Sequence, residues 1–119
     1  MTKYEKKILN GLIHEILLRR DKVCLKCGNP QFQASHIYPK GRYRKMEFDP
    51  DNIKALCYNC HLNWWHKNAL EASDWIKTVL PKKRLDNLKL RSQTSGDGTR
   101  NFKVLKMFLE TEIKKYERN

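Results

Sequence analysis

The sequence predicts a small α+β domain, with a β-β-α centre flanked by N- and C-terminal α-helices. Three observations carry that expectation. Four cysteines stand as two C-x-x-C pairs, Cys24 with Cys27 and Cys57 with Cys60. Between the pairs, short apolar runs are broken by Gly, Pro, Asn and Asp, the punctuation of strands and turns. Outside the pairs, apolar residues recur at three- and four-residue steps, the period of amphipathic helices.

Taken in order, residues 3 to 20 form the first predicted helix, with Thr2 as N-cap and Tyr4, Ile8, Leu9, Leu12, Ile13, Ile16 and Leu17 as its apolar stripe. Gly11 lowers the helix propensity there, and His14 lies off the stripe, facing solvent. CLKCGNP is a knuckle: Cys27-Gly28 turns the chain and Pro30 prevents a helix from starting. QFQASHIYP alternates and suits a short strand ending near Pro39. GRYRK reads as a basic loop, MEF as a second short strand and DPDN as turn chemistry. A helix is expected from the second knuckle through Trp64 and Trp65 to about Lys67. Residues 69 to 80 offer another, packed through Leu70, Trp75, Ile76, Val79 and Leu80 and limited by Pro81. SQTSGDG is a polar break, after which NFKVLKMFLETEIKKYER forms a last amphipathic helix through Phe102, Leu105, Leu109, Ile113 and Tyr116. The result is one domain: an N-terminal helix (1–22), a metal-bound centre (23–68) and a helical extension (69–119).

The chain has 119 residues, 32% of them charged, so it builds only a modest core that a metal staple would help. MTKYEKKILNGLIHEILL carries charges inside its apolar pattern, unlike a secretory signal. A reducing compartment is therefore the expectation, and disulfides are disfavoured. A thioredoxin-like pair would account for one C-x-x-C, not two. The simplest reading is one tetrahedral zinc held by all four thiolates. No run of eighteen apolar residues is present, so no membrane span is expected. A net charge of +12 calls for a polyanionic partner, nucleic acid being the commonest, or else a solvated charged face. Lys82, Lys83, Arg84, Lys89 and Arg91 form one basic cluster, with Asp86 its only acid; Lys40, Arg42, Arg44 and Lys45 form another.

With the cysteines assigned to zinc, His36, Asn52, His61 and His66 remain. The order His36, Asn52, His61, framed by Cys24, Cys27, Cys57 and Cys60, resembles the HNH, or ββα-metal, endonucleases over roughly residues 24 to 67. More loosely, SHIYPKGRYRKMEFDPDNIKALCYNCH is similar to the phage NinG recombination endonucleases. The resemblance implies a phage or prophage protein of the bacterial cytoplasm that hydrolyses DNA phosphodiester bonds, with branched recombination intermediates as one substrate class. His36 is then the general base, since a neutral imidazole can take a proton from water near neutral pH. His61 is the expected ligand of a catalytic Mg²⁺ or Mn²⁺, and the zinc knuckle fixes the start of the helix that presents it. Asn52 either binds that metal through its amide oxygen or braces the loop carrying His36; an ordinary Asx turn in DPDN is the plainer alternative.

Two positions depart from the family pattern. Where many HNH nucleases carry an Asp or His directly before the base, this chain has Ser35, a poor metal ligand. His66 follows His61 by five residues rather than four, roughly 140° around an ideal helix, and reaches the same metal only if the helix distorts. Water and DNA phosphate oxygens would then fill the remaining positions. Arg42, Arg44 and Lys45 are the expected DNA contacts, through phosphates rather than bases. Trp64, Trp65 and Trp75 suit core packing better than base stacking. The rival classes are a non-catalytic zinc module that binds nucleic acid, and an adaptor whose end helices engage a second copy or a phage protein partner.

Overall fold

The computed structural model describes residues 1–96, 98 and 100–117. Its elements run α1 (Lys3–Arg20), β1 (Gln33–His36), β2 (Ile53–Leu56), a π-helical segment (Asn59–Trp65), α2 (Ala69–Val79), α3 (Lys82–Gln93) and α4 (Phe102–Lys114). Short 3₁₀ turns at Arg44–Met46 and Pro50–Asn52 separate the strands. The chain thus mixes a two-stranded sheet with several helices.

α1 starts where its chemistry dictates. The Thr2 hydroxyl accepts from the Glu5 N–H at 3.0 Å, and the Glu5 carboxylate accepts from the Thr2 N–H at 2.9 Å. This capping box satisfies two backbone donors that the first turn would leave unpaired. Leu9, Ile13, Ile16 and Leu17 are buried as the stripe predicts, while Tyr4, one turn before the core begins, is 73% exposed. His14 is exposed, its ring stacked on Phe32.

The hairpin is antiparallel and pairs Gln33 with Leu56, Ala34 with Ala55, Ser35 with Lys54 and His36 with Ile53. Its second strand is IKAL, not the expected MEF. Met46 and Phe48 are buried, but they lie in the connecting loop, next to a 3₁₀ turn. All four residues of β2 are buried, so the period-2 alternation that betrays a half-exposed strand is absent.

β2 joins two apolar clusters. Ile53 and Ala55 pack with Leu9, Ile13, Ile16 and Leu17 of α1, Phe48, and Leu109 of α4. Phe102, Leu105, Ile113 and Tyr116 close over that core, as the last amphipathic pattern predicts. Leu56 joins the second cluster with Cys24, Cys57, Cys60, Trp65 and Trp75. On α2 the buried stripe is Ala72 and Ile76, continued by Leu80; Leu70, counted among the packing residues, is 87% exposed, and Val79 is exposed too. α3 is an unexpected helix. Its basic residues mask a thin apolar stripe in which Leu88 alone is fully buried. It absorbs Ser92 and Gln93 from the predicted polar break; Asp97 of that break and Arg118 of the last predicted helix lie outside the described residues. Among the described residues, no helix is long and apolar enough to cross a membrane.

Candidate functional site

The two knuckles meet at the edge of the sheet. Gly28 sits at φ +81°, a left-handed turn that a side chain would strain, and its N–H closes onto the Cys24 carbonyl at 2.9 Å. The Leu25 N–H binds the Ala55 carbonyl at 3.0 Å, which pins this knuckle to β2. In the second knuckle the Cys60 N–H points at the Cys57 sulfur, 3.4 Å away. All four sulfurs lie within 4.8 Å of one another, with Cys27 and Cys57 at 3.6 Å, and all four residues are free cysteines. A tetrahedral Zn–S₄ centre requires S···S separations of about 3.8 Å, so the cluster could hold a zinc ion. Burial opposes the Cys24 thiolate, yet backbone N–H groups of Cys57, Cys27 and Lys26 outweigh it and leave its pKa at about 7. Burial pushes Cys60 the other way, reinforced by its three sulfur neighbours. A cation between the four would resolve that crowding. Among the described residues, this is the one group of three or more histidine, cysteine or acidic ligand atoms gathered closely enough to hold a metal.

From Asn59, within the second knuckle, the chain winds as a π-helix, and the His66 N–H bonds to the His61 carbonyl, five residues back. The wider turn brings the two imidazoles together, with ring centroids 4.6 Å apart. The distortion that a five-residue spacing requires is therefore built into the backbone. Gln33 on β1 faces His61 across 3.0 Å, its Oε1 accepting from Nδ1–H and leaving the lone pair on Nε2. Burial lowers the pKa of His61 to about 4, with His66, Lys54, His36 and Lys40 adding to the effect, so the ring is neutral at pH 7.

His36 is the last residue of β1. Its Nε2 lies 2.8 Å from the Glu47 carbonyl. A carbonyl can only accept, so Nε2 carries the proton and Nδ1 keeps the lone pair. Burial holds His36 below the usual imidazole range, partly offset by the Glu47 bond.

Asn52 is completely buried, and its amide is fully engaged by the loop after His36. Oδ1 accepts from the Tyr38 N–H at 2.8 Å; Nδ2 donates to the Tyr38 and Met46 carbonyls at 3.0 and 3.1 Å. These three contacts tie Asn52 to the loop that follows His36. Three arginines in turn grip the segment that carries Asn52. Arg20 donates to the carbonyls of Pro50 (2.8 Å) and Ile53 (2.5 Å), and Arg84 to those of Asp51 (2.9 Å) and Ile53 (3.1 Å). Arg91 pairs with Asp49 and Asp51 at 2.7 and 3.1 Å. Two members of the basic cluster on α3 thus hold the site's frame.

Opposite Ser35 stands Lys54, fully buried, its ammonium 3.0 Å from the Ser35 hydroxyl and 3.3 Å from the centroid of the Trp65 ring. Burial lowers its pKa to about 6, helped by the charge of Arg84 and opposed by Asp21. Directly before His36 this chain thus buries a serine, with a lysine across the hairpin from it. Lys54, Gln33, Glu47 and Arg20 were not singled out from sequence; a lysine inside the apolar run IKAL was the available signal for the first.

Of the expected DNA contacts, Arg42 lies 5.5 Å from the Tyr43 ring, Lys45 is tied to Thr94, and the Arg44 carbonyl accepts from Arg100. Trp64, Trp65 and Trp75 form one half-buried group, centroids 5.1 to 6.5 Å apart, with Trp65 and Trp75 packed on the cysteine cluster. Compared with protein-family models, with curated proteins and with solved structures, the chain matches none.

Proposed function

We propose that the chain is a zinc-stapled, HNH-type endonuclease that hydrolyses DNA phosphodiester bonds. One observation carries this reading: burial lowers the pKa of His36 and the Glu47 carbonyl accepts from its Nε2–H, which leaves the lone pair on Nδ1, while the His61 and His66 rings stand together. In the proposed step, Nδ1 of His36 takes a proton from water as the water oxygen bonds to phosphorus. The P–O bond to the leaving sugar oxygen breaks, and that oxygen takes a proton from solvent. Asn52 keeps the His36 loop in place, and Gln33 orients His61.

The zinc at Cys24, Cys27, Cys57 and Cys60 is structural in this reading. His61 and His66 are the residues that would hold a second divalent ion, with water and substrate phosphate completing its shell. When bound, such an ion supplies charge stabilisation to the phosphoryl and leaving oxygens. Mg²⁺ prefers oxygen ligands, and two imidazoles with no carboxylate suit a softer first-row ion better. Of the two ions expected, Mn²⁺ fits better. The phage or prophage setting follows from the same resemblance.

Supercoiled plasmid tests the proposal. Nicking with Mn²⁺ that is lost in His36→Ala, while that variant still binds DNA, is the expected result. Binding without nicking under Mn²⁺, Mg²⁺ or Zn²⁺ supports instead a non-catalytic nucleic-acid module. The Ser35–Lys54 pair favours that second reading, because neither buried side chain supplies the carboxylate of an acidic ligand.

A further inference from the structure

A cleft of about 750 Å³ opens between the loop after β1, the π-helical segment, α2 and α3. It falls within the roughly 300–1,000 Å³ of small-molecule sites. Its walls are apolar and aromatic: Tyr38, Trp65, Ile76 and Leu85. Its rim is basic, with Lys77, Lys82 and Lys89 against Asp86, and that one acid is already paired with Lys82 at 2.6 Å. The cleft is also continuous in sequence with the candidate site, since Ile37 and Tyr38 directly follow His36 and Trp65 directly precedes His66.

Apolar walls with an aromatic face, beneath lysines, match one kind of occupant: a flat base whose phosphates stay at the rim. A base stacked inside a duplex cannot enter such a recess without leaving its pair. We propose that this cleft receives an unpaired nucleotide next to the scissile phosphate, so that the chain selects gapped or bulged DNA over intact duplex. The proposal rests on the nucleic-acid reading above and adds a subsite for an unpaired base. Neither a recognition helix nor base-edge hydrogen bonding is needed, so the preference is for structure rather than sequence.

The test is the binding of the zinc-loaded full chain, without added Mn²⁺ or Mg²⁺, to a fluorescent duplex and to the same duplex with a short gap. Ala69, an exposed residue of the cleft, offers a blocking position as Ala69→Trp, and Ser73→Trp provides a second if the first fails to fold. The expected result is about tenfold tighter binding of the gapped DNA, falling to near parity in the blocked variant while duplex affinity holds. A 2-aminopurine placed opposite the gap should lose fluorescence on binding the wild-type chain only. Equal affinity for both DNAs, or a preference that survives blocking, overturns the proposal. Plasmid nicking that depends on His36 without gap preference sinks the cleft alone. Gap preference without nicking sinks the nuclease reading and leaves the cleft standing.

Discussion

At the scale of single residues, Lys54 is the largest electrostatic liability in the fold. Its ammonium has one hydroxyl partner and a ring face in place of water. The unfolded chain binds its proton up to pH 10.5 and the folded chain only to about 6, so between those values the unfolded state holds more protons. Stability should therefore rise with pH across that window, with this contribution fully present above it and lost below about pH 6. Replacing both partners, Lys54→Met with Ser35→Ala, should stabilise the zinc-loaded protein by about 1–3 kcal/mol at pH 7 and flatten that slope in thermal melts. An unchanged slope would show that another group sets it. Asn52 works in the opposite sense. Asn52→Ala removes three hydrogen bonds to the backbone of Tyr38 and Met46 and should cost about 3 kcal/mol. It should also shift the imidazole resonances of His36, which the loop holds, more than those of His61. Neither residue's part was readable beforehand. A lysine in an apolar run signals nothing about what lies above it, and DPDN fits an Asx turn as well as a brace.

At the scale of elements, the π-helical segment decides whether the histidines can act together. An α-helix brings residues four apart onto one face, whereas π winding does so for residues five apart. Deleting Asn63, an exposed residue whose side chain bonds only to Asn59 among the described residues, should turn the segment into an α-helix and leave His61 and His66 four apart. The pair should stay adjacent, and binding of a second divalent ion, read by calorimetry on the zinc-loaded chain, should persist. Inserting an alanine at the same place should abolish it. The spacing of the two histidines revealed that a distortion was required, but not that the backbone supplies it. Helices α1 and α4 were legible because their stripes are wide and α1 is capped. β2 and α3 were not, because a strand buried on both faces has no alternation and a helix with one buried leucine has almost no stripe.

At the scale of the whole molecule, two clusters share β2 but draw on different forces. The α1–α4 core is ordinary hydrophobic burial, whereas the other is a handful of side chains around four sulfurs. All three tryptophans belong to the second region. Chelating zinc should thus change tryptophan fluorescence strongly while much of the far-ultraviolet helical signal, carried by α1 and α4, survives. Simultaneous loss of both signals would mean that the two clusters fold as one unit. The charge of +12 suggested a polyanion or a solvated face, yet part of it serves the fold: Arg20, Arg84 and Arg91 clamp the turn that carries Asn52. Composition counts charges and cannot tell a clamp from a contact.

Sulfur and imidazole are assigned separate ions here, and X-ray absorption at the zinc edge reads that assignment directly. Four sulfur neighbours at about 2.3 Å, unchanged in His61→Ala, are expected. A mixed sulfur and nitrogen shell that alters in that variant would contradict the assignment.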